Sequence, residues 1–257
     1  MSPQPPLPEL LAFAHELADL ARPIALSAFR APLQVAHKDD RSPVTAADRG
    51  IERVLRQAIA ARYPTHGIFG EEEGQERVDA EQVWVLDPID GTKAFASGNP
   101  LFGTLIGLLV RGEPVLGICD APALGERYAA ARGGVATRNG QALRVRAERT
   151  LDEAVLYCTT PDPLRGVPGF AALQARVRWT SYGGDCLAYG FLAAGGCDLI
   201  VDRGLKPYDW CALVPILEAA GGLLCDWRGR PLTLAADGDV VAASSAGLAA
   251  AACRALA

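Results

Sequence analysis

The sequence predicts an α+β first half joined to an α/β second half, on three observations. Two stretches of helical apolar spacing open the chain. Short apolar runs broken by turn residues follow, and from residue 155 strand-like and helix-like segments alternate. The expected division is residues 1–147, two helices on an antiparallel sheet, and residues 148–257, with the seam between Arg144 and Asp152.

Residues 3–8 form a proline-rich, frayed lead. Leu10, Phe13, Leu17, Leu20 and Ile24 recur at helical spacing, so a first helix runs from Glu9 to Arg30 with a kink or break at Pro23. Ile51, Val54, Leu55 and Ile59 mark a second helix that stops before Pro64, capped by Thr45 or Asp48. Strands are expected at 68–70, at 83–86 ahead of Asp87, at 102–110, at 115–119, and on both sides of Gly133-Gly134. Asn139-Gly140 is a two-residue hairpin signal. In the second half, strands at 155–158, 199–201, 223–225 and 240–242 alternate with helices at 186–194, 209–220 and 246–257. Gly221-Gly222 ends the middle helix.

Composition narrows the function classes. Among 257 residues, 50% hydrophobic and 21% charged content is that of a globular protein, and a net charge of −5 without a dense basic run argues against nucleic acid. The longest apolar stretch, Leu101 to Val110, is too short to span a bilayer, and the N-terminus lacks a signal-peptide pattern, so a cytoplasmic protein is expected. The seven cysteines are scattered without a C-x-x-C pair and read as reduced thiols, with Cys158, Cys186, Cys197, Cys211 and Cys225 as core filler. His15, His37 and His66 show no zinc-ligand spacing with them.

The chemistry concentrates at Asp87-Pro88-Ile89-Asp90-Gly91-Thr92-Lys93-Ala94-Phe95. Two hard-oxygen donors at a strand end suit Mg²⁺, and the Gly91-Thr92 turn offers backbone N–H groups to a phosphate. The same residues could form an ordinary Asp-Pro turn with an Asp-Gly corner. Glu71, after the preceding strand, and Asp209, at a helix start, supply two further acids at element ends. Singly, Glu71 reads as part of a solvated acidic run and Asp209 as a helix cap. Convergence of all four in space would require a cation.

Gly70-Glu71-Glu72, then Asp87 to Thr92, then Pro207-Tyr208-Asp209-Trp210 with Ala219 to Gly222 resemble the Mg²⁺-dependent, lithium-sensitive inositol monophosphatase superfamily, in family order and over residues 9–257. The resemblance implies a layered αβαβα sandwich, metal-assisted hydrolysis of a small phosphate ester, and homodimerisation. It places one Mg²⁺ on Glu71, Asp87 and the Ile89 carbonyl and a second on Asp87, Asp90 and Asp209. A weaker third ion near Glu71 occurs in some members. Gly91 and Thr92 match phosphate-binding positions, with the Thr92 hydroxyl near the attacking water and Asp48 bonded to Thr92. Lys38 matches a further position near the site.

Within the superfamily, Lys93-Ala94-Phe95, Gly98 to Ile106, Ala121-Pro122, Gly125 to Tyr128 and Tyr182 to Tyr189 are similar to the histidinol-phosphate phosphatase branch. Tyr128 stands where that branch often has Trp, and Asp202 where it commonly has Glu. Histidinol phosphate carries a cationic end, which inositol phosphate lacks. Asp185 and Asp202 are therefore expected to recognise it, with Asp185 alternatively a helix cap. The same chemistry on inositol 1-phosphate or a 3′-phosphoadenosine nucleotide is the nearest rival, and a catalytically silent Mg²⁺-binding homologue the rival from another class. All four carboxylates and Thr92 are present, which weighs against the silent homologue.

Overall fold

The computed structural model describes residues 5–31, 36–37, 43–44 and 46–257. Helix α1 (Leu7–Ala28) is followed by the paired strands β1 (Ala36–His37) and β2 (Pro43–Val44), then α2 (Ala46–Arg62). The first large sheet is built from β3 (Gly67–Gly70), β4 (Gln75–Glu76), β5 (Gln82–Asp90), β6 (Gly103–Val110), β7 (Glu113–Ala121), β8 (Glu126–Ala131), β9 (Thr137–Arg138) and β10 (Gln141–Ala142). The short α3 (Thr92–Ala96) lies between β5 and β6. The strand order is β10-β9-β8-β7-β6-β5-β3-β4.

The second sheet has the order β12-β11-β13-β15-β14, from β11 (Val155–Cys158), β12 (Trp179–Tyr182), β13 (Leu199–Asp202), β14 (Leu223–Asp226) and β15 (Val240–Ala243). Its helices are α4 (Pro168–Gln174), α5 (Asp185–Ala193), α6 (Pro207–Trp210), α7 (Leu213–Ala219) and α8 (Ala246–Leu256).

Alternation along the strands sorts the side chains into three cores. Trp84, Leu86, Ile106, Leu108, Leu116 and Ile118 face α1 and α2. Their strand neighbours Val83, Val85, Leu105, Leu109 and Cys119 face the other way and pack with α5, α7, Leu224, Val240 and Ala242. Leu156, Leu199, Val201 and Val241 look outward to Phe170 and Leu173 of α4 and to Leu248 and Ala252 of α8. The result is the expected five-layer αβαβα sandwich, with the middle core made by residues from both halves of the chain. Among the described residues no helix is long and apolar enough to cross a membrane.

Four local expectations change. Helix α1 does not break at Pro23 but runs on to Ala28, with Leu17, Ala18, Ala21 and Ala25 buried on either side of the proline. The first sheet is not wholly antiparallel: β4 carries the chain back along β3, so β5 starts from the same end as β3 and pairs with it in parallel. The helix expected over 209–220 divides into α6 and α7. Pro215 then falls in the first turn of α7, where its missing N–H costs no helical bond. Strand β12 and helix α4 had no periodic signal; β12 is an edge strand with Trp179 and Tyr182 exposed.

Candidate active site

The acids of the Asp87–Asp90 motif are brought together by an irregularity in β5. On a regular strand, residues three apart face opposite sides of the sheet. Here Asp87 pairs with Leu105 and Asp90 with Gly103, so three steps on β5 oppose two on β6, and the extra residue is a β-bulge. The carbonyls freed by the bulge are taken by threonine hydroxyls: Thr104 Oγ1 donates to Pro88 O at 2.8 Å and Thr92 Oγ1 to Ile89 O at 3.0 Å. A proline in a strand is tolerated at such a bulge, where no ladder donor is lost.

The bulge sets Asp90 beside Asp87, and α6 brings in Asp209. One carboxylate oxygen from each of the three lies within 4.8 Å of the others. Glu71, whose N–H donates to Leu86 O at 3.2 Å, stands next to Asp87. Burial, then the charges of Glu71, Asp90 and Asp209, push the Asp87 carboxyl well above the usual carboxylate range. Asp90 is pushed up to about 7 by burial and by Asp209, and Asp209 to about 7, chiefly by burial. Asp87 Oδ1 is buried with no donor facing it. An all-oxygen donor set with an unpaired buried carboxylate oxygen and strong mutual repulsion fits a hard divalent cation such as Mg²⁺.

After β5 the chain turns through Gly91, whose φ of +81° is a left-handed conformation that favours glycine. A Cβ there would stand 3.1 Å from Asp185 Oδ2 and 3.1 Å from Leu101 O. Phe95 N–H closes the first helical bond of α3, to Gly91 O at 2.9 Å, so the N–H groups of Thr92, Lys93 and Ala94 precede the helical ladder. Asp48 is buried in the first turn of α2, and β2, just before it, packs on α3. Lys38 and Thr45 lie outside the described residues.

Asp90, Asp209, Asp185, Cys186, Tyr189, Thr159 and Leu205 line a cleft of about 100 Å³. Asp185 opens α5 with φ +43°, one residue past the N-cap Gly184, so it does not occupy the cap position. The helix start is instead held by Asp90, whose Oδ2 accepts Cys186 N–H at 2.6 Å. Burial and the charges of Asp90 and Asp202 push the Asp185 carboxyl to about 7, while Lys93 opposes the rise.

Asp202 is not in the cleft lining. It is buried, and its carboxylate accepts Thr159 N–H at 2.7 Å, the Thr159 hydroxyl at 3.1 Å and the Tyr189 hydroxyl at 2.9 Å. Its neighbours Thr159 and Tyr189 reach the cleft in its place. Arg127 is tied to Asp120 and Asp19 at the α1 side of the first sheet, and Lys206 gives its backbone N–H to Asp209 Oδ2 at 2.6 Å. Thr104, Thr159, Tyr189 and the Cys186 N–H were not singled out from the sequence. Thr104 falls in the Gly98 to Ile106 stretch, and Cys186 and Tyr189 in the Tyr182 to Tyr189 stretch; Thr159 alone of the four lies in no motif.

Comparisons with known proteins extend over nearly the whole chain. The profile of the inositol monophosphatase family matches residues 7–257. The chain is 41% identical over 242 residues to the bifunctional phosphatase IMPL2, chloroplastic, of Arabidopsis thaliana, covering 93% of this chain and 70% of that protein. It is 38% identical over 241 residues to the histidinol-phosphatase of Chlorobaculum parvum, covering 92% and 93%. An inositol monophosphatase from Zymomonas mobilis, of known structure, superposes with a TM-score of 0.90 at 43% identity, over 98% of this chain and 99% of that one. The chain belongs to the inositol monophosphatase family of Mg²⁺-dependent phosphatases.

Proposed function

We propose that this phosphatase hydrolyses L-histidinol phosphate to L-histidinol and phosphate by direct attack of water. The observation that carries the choice of substrate is the place of Asp185. Its carboxylate stands at the Gly91 turn and lines the cleft beside Asp90 and Asp209, so an ester held at that turn meets an acid. Histidinol phosphate offers an ammonium to such a group, and inositol phosphate offers only hydroxyls. Two relatives point to the two substrates: the Chlorobaculum parvum protein is named a histidinol-phosphatase, the Zymomonas mobilis one an inositol monophosphatase. Inositol 1-phosphate is accordingly the second reading.

In this proposal Glu71, Asp87 and the Ile89 carbonyl hold one Mg²⁺, and Asp87, Asp90 and Asp209 a second. Bound there, Mg²⁺ supplies positive charge to the phosphoryl oxygens and acidifies water at neutral pH. The Gly91 and Thr92 N–H groups hold the phosphate, and the Thr92 hydroxyl orients the attacking water once its proton turns from Ile89 O to the Asp48 carboxylate. Water adds to phosphorus, the P–O bond to the alcohol breaks, and the alcohol oxygen takes up a proton. No side-chain nucleophile is required. Asp185 meets the ammonium directly, while Asp202 shapes the cleft by fixing Thr159 and Tyr189.

The test is phosphate release with Mg²⁺ from histidinol phosphate, inositol 1-phosphate and 3′-phosphoadenosine 5′-phosphate, on the native protein and on Asp185→Asn. A charged hydrogen bond is worth about 1.5–3 kcal/mol, so kcat/KM for histidinol phosphate should fall about 10- to 100-fold while that for inositol 1-phosphate holds. Equal losses on both esters, or an initial preference for inositol 1-phosphate, would reject the substrate assignment.

A further inference from the structure

We propose that Glu52, with Arg56, is a positioning residue that fixes the loop carrying Glu71 and thereby sets the affinity of the site for Mg²⁺. The inference rests on the reading of Glu71 as a metal ligand and extends it to residues in another helix.

Glu52 lies on the face of α2 that also buries Ile51, Leu55 and Ile59, and is itself fully buried. A carboxylate on an apolar face is costly unless its lone pairs are filled. Here they are filled by the loop: Oε2 accepts Glu72 N–H at 2.7 Å and Oε1 accepts Glu73 N–H at 2.9 Å. Arg56, one helical turn on, donates its Nε to Oε1 at 2.8 Å and its Nη2 to Gly74 O. Gly74 O also accepts Gly70 N–H at 2.9 Å. One Glu–Arg pair therefore grips the backbone that follows Glu71, at Glu72, Glu73 and Gly74, and Gly74 O in turn ties back to Gly70.

The close fit is visible at Gly70. A Cβ on that residue would stand 2.0 Å from Glu52 Oε1 and 2.7 Å from Arg56 Nη2, so the clamp occupies the space a side chain would need. Glu71 itself is held from the sheet side by Leu86 O. With the backbone around it fixed, the Cα of Glu71 is held at the distance from which its carboxylate reaches Asp87. Residues that orient a metal ligand typically change metal affinity 10- to 100-fold when altered.

Calorimetric titration with Mg²⁺ alone, on metal-stripped protein, tests this with Glu52→Gln, whose amide nitrogen cannot accept the Glu72 or Glu73 N–H. Glu71→Gln is the reference variant. The expected result is Mg²⁺ binding weakened about 10- to 100-fold in Glu52→Gln, with activity recovered at higher Mg²⁺ and KM for the ester little changed. If Glu71→Gln weakens binding and Glu52→Gln does not, Glu52 is merely structural and the proposal fails, whatever its effect on melting temperature. If neither variant weakens binding, the assignment of Glu71 to the metal fails instead. Should Glu52→Gln not fold, Arg56→Met replaces it in the same titration with the same expected and overturning results, since it keeps an unbranched side chain and removes both donors, to Glu52 and to Gly74 O.

Discussion

Asp90 and Cys186, 96 residues apart, are joined by a 2.6 Å hydrogen bond from the Cys186 backbone to Asp90 Oδ2. A group at the centre of the acidic cluster is thus also the acceptor that satisfies the start of α5. Site and fold share one carboxylate.

That double duty separates two substitutions. Asp90→Asn keeps an oxygen that can accept the Cys186 N–H but removes the negative charge, so turnover should fall by several orders of magnitude with little change in metal-free stability. Asp90→Ala loses both and should cost a further 1–3 kcal/mol or so in urea unfolding, the penalty of an unpaired buried donor. Glu73→Gln is the contrast. Its ion pairs to Arg53 and Arg56 span 3.7 and 3.8 Å on a half-open surface, and activity should be nearly unchanged. Equal activity in Asp90→Asn and Glu73→Gln would contradict the ligand assignment.

Crowding of the acids makes metal-free stability depend on pH in a set direction. Asp90 and Asp209 are raised from 3.8 to about 7, so between those values the folded state holds protons that the unfolded chain has lost. Their contribution is fully present below about pH 4 and declines as pH rises through about 7. Mg²⁺ binding needs the ionised form and reverses the trend. The difference in melting temperature with and without saturating Mg²⁺ should widen from pH 5 to pH 8. A difference that stays flat or narrows would show that these carboxylates are not the metal's ligands.

Gly117 on β7 faces the joint between α6 and α7, where a Cβ would fall 1.8 Å from Ala212 O. A backbone oxygen cannot swing aside as a side chain can. Gly117→Ala should lower stability by about 3 kcal/mol or more and reduce turnover, because the joint follows directly on Asp209. Gly50, inside α2 with nothing within 4 Å of its would-be Cβ, gives the opposite sign: Gly50→Ala should add roughly 0.5–1 kcal/mol. Chemical denaturation of both variants compares them. Similar losses would mean that the α6–α7 joint is not tightly fitted to the sheet.

Much of this was legible in the sequence where the signal is local. The Asp87–Thr92 motif, the strands at 102–110 and 115–119, and the Asn139-Gly140 turn all lie where periodicity and turn chemistry put them. The residues not found act across long separations: Glu52 on a loop 20 residues away, Thr104 on Pro88, Cys186 on Asp90. A buried glutamate between Ile51 and Leu55 leaves no mark on a hydrophobic pattern that charged residues routinely interrupt. Asp202 was legible as a family position, but its three donors, from Thr159 and Tyr189, appear only once β11, α5 and β13 are assembled.

The one-residue surplus in β5 also bears on how such a protein can change. Deleting Ile89 would remove the surplus residue and bring β5 back into one-to-one register with β6. The two acids would still share a face, two positions apart, but the Ile89 carbonyl, proposed above to hold Mg²⁺, would be gone and its neighbours drawn into the ladder. Selection for a smoother, more durable sheet therefore runs against activity at this point in the chain. A stabilised descendant of this protein can gain almost anywhere else, but it must keep this defect.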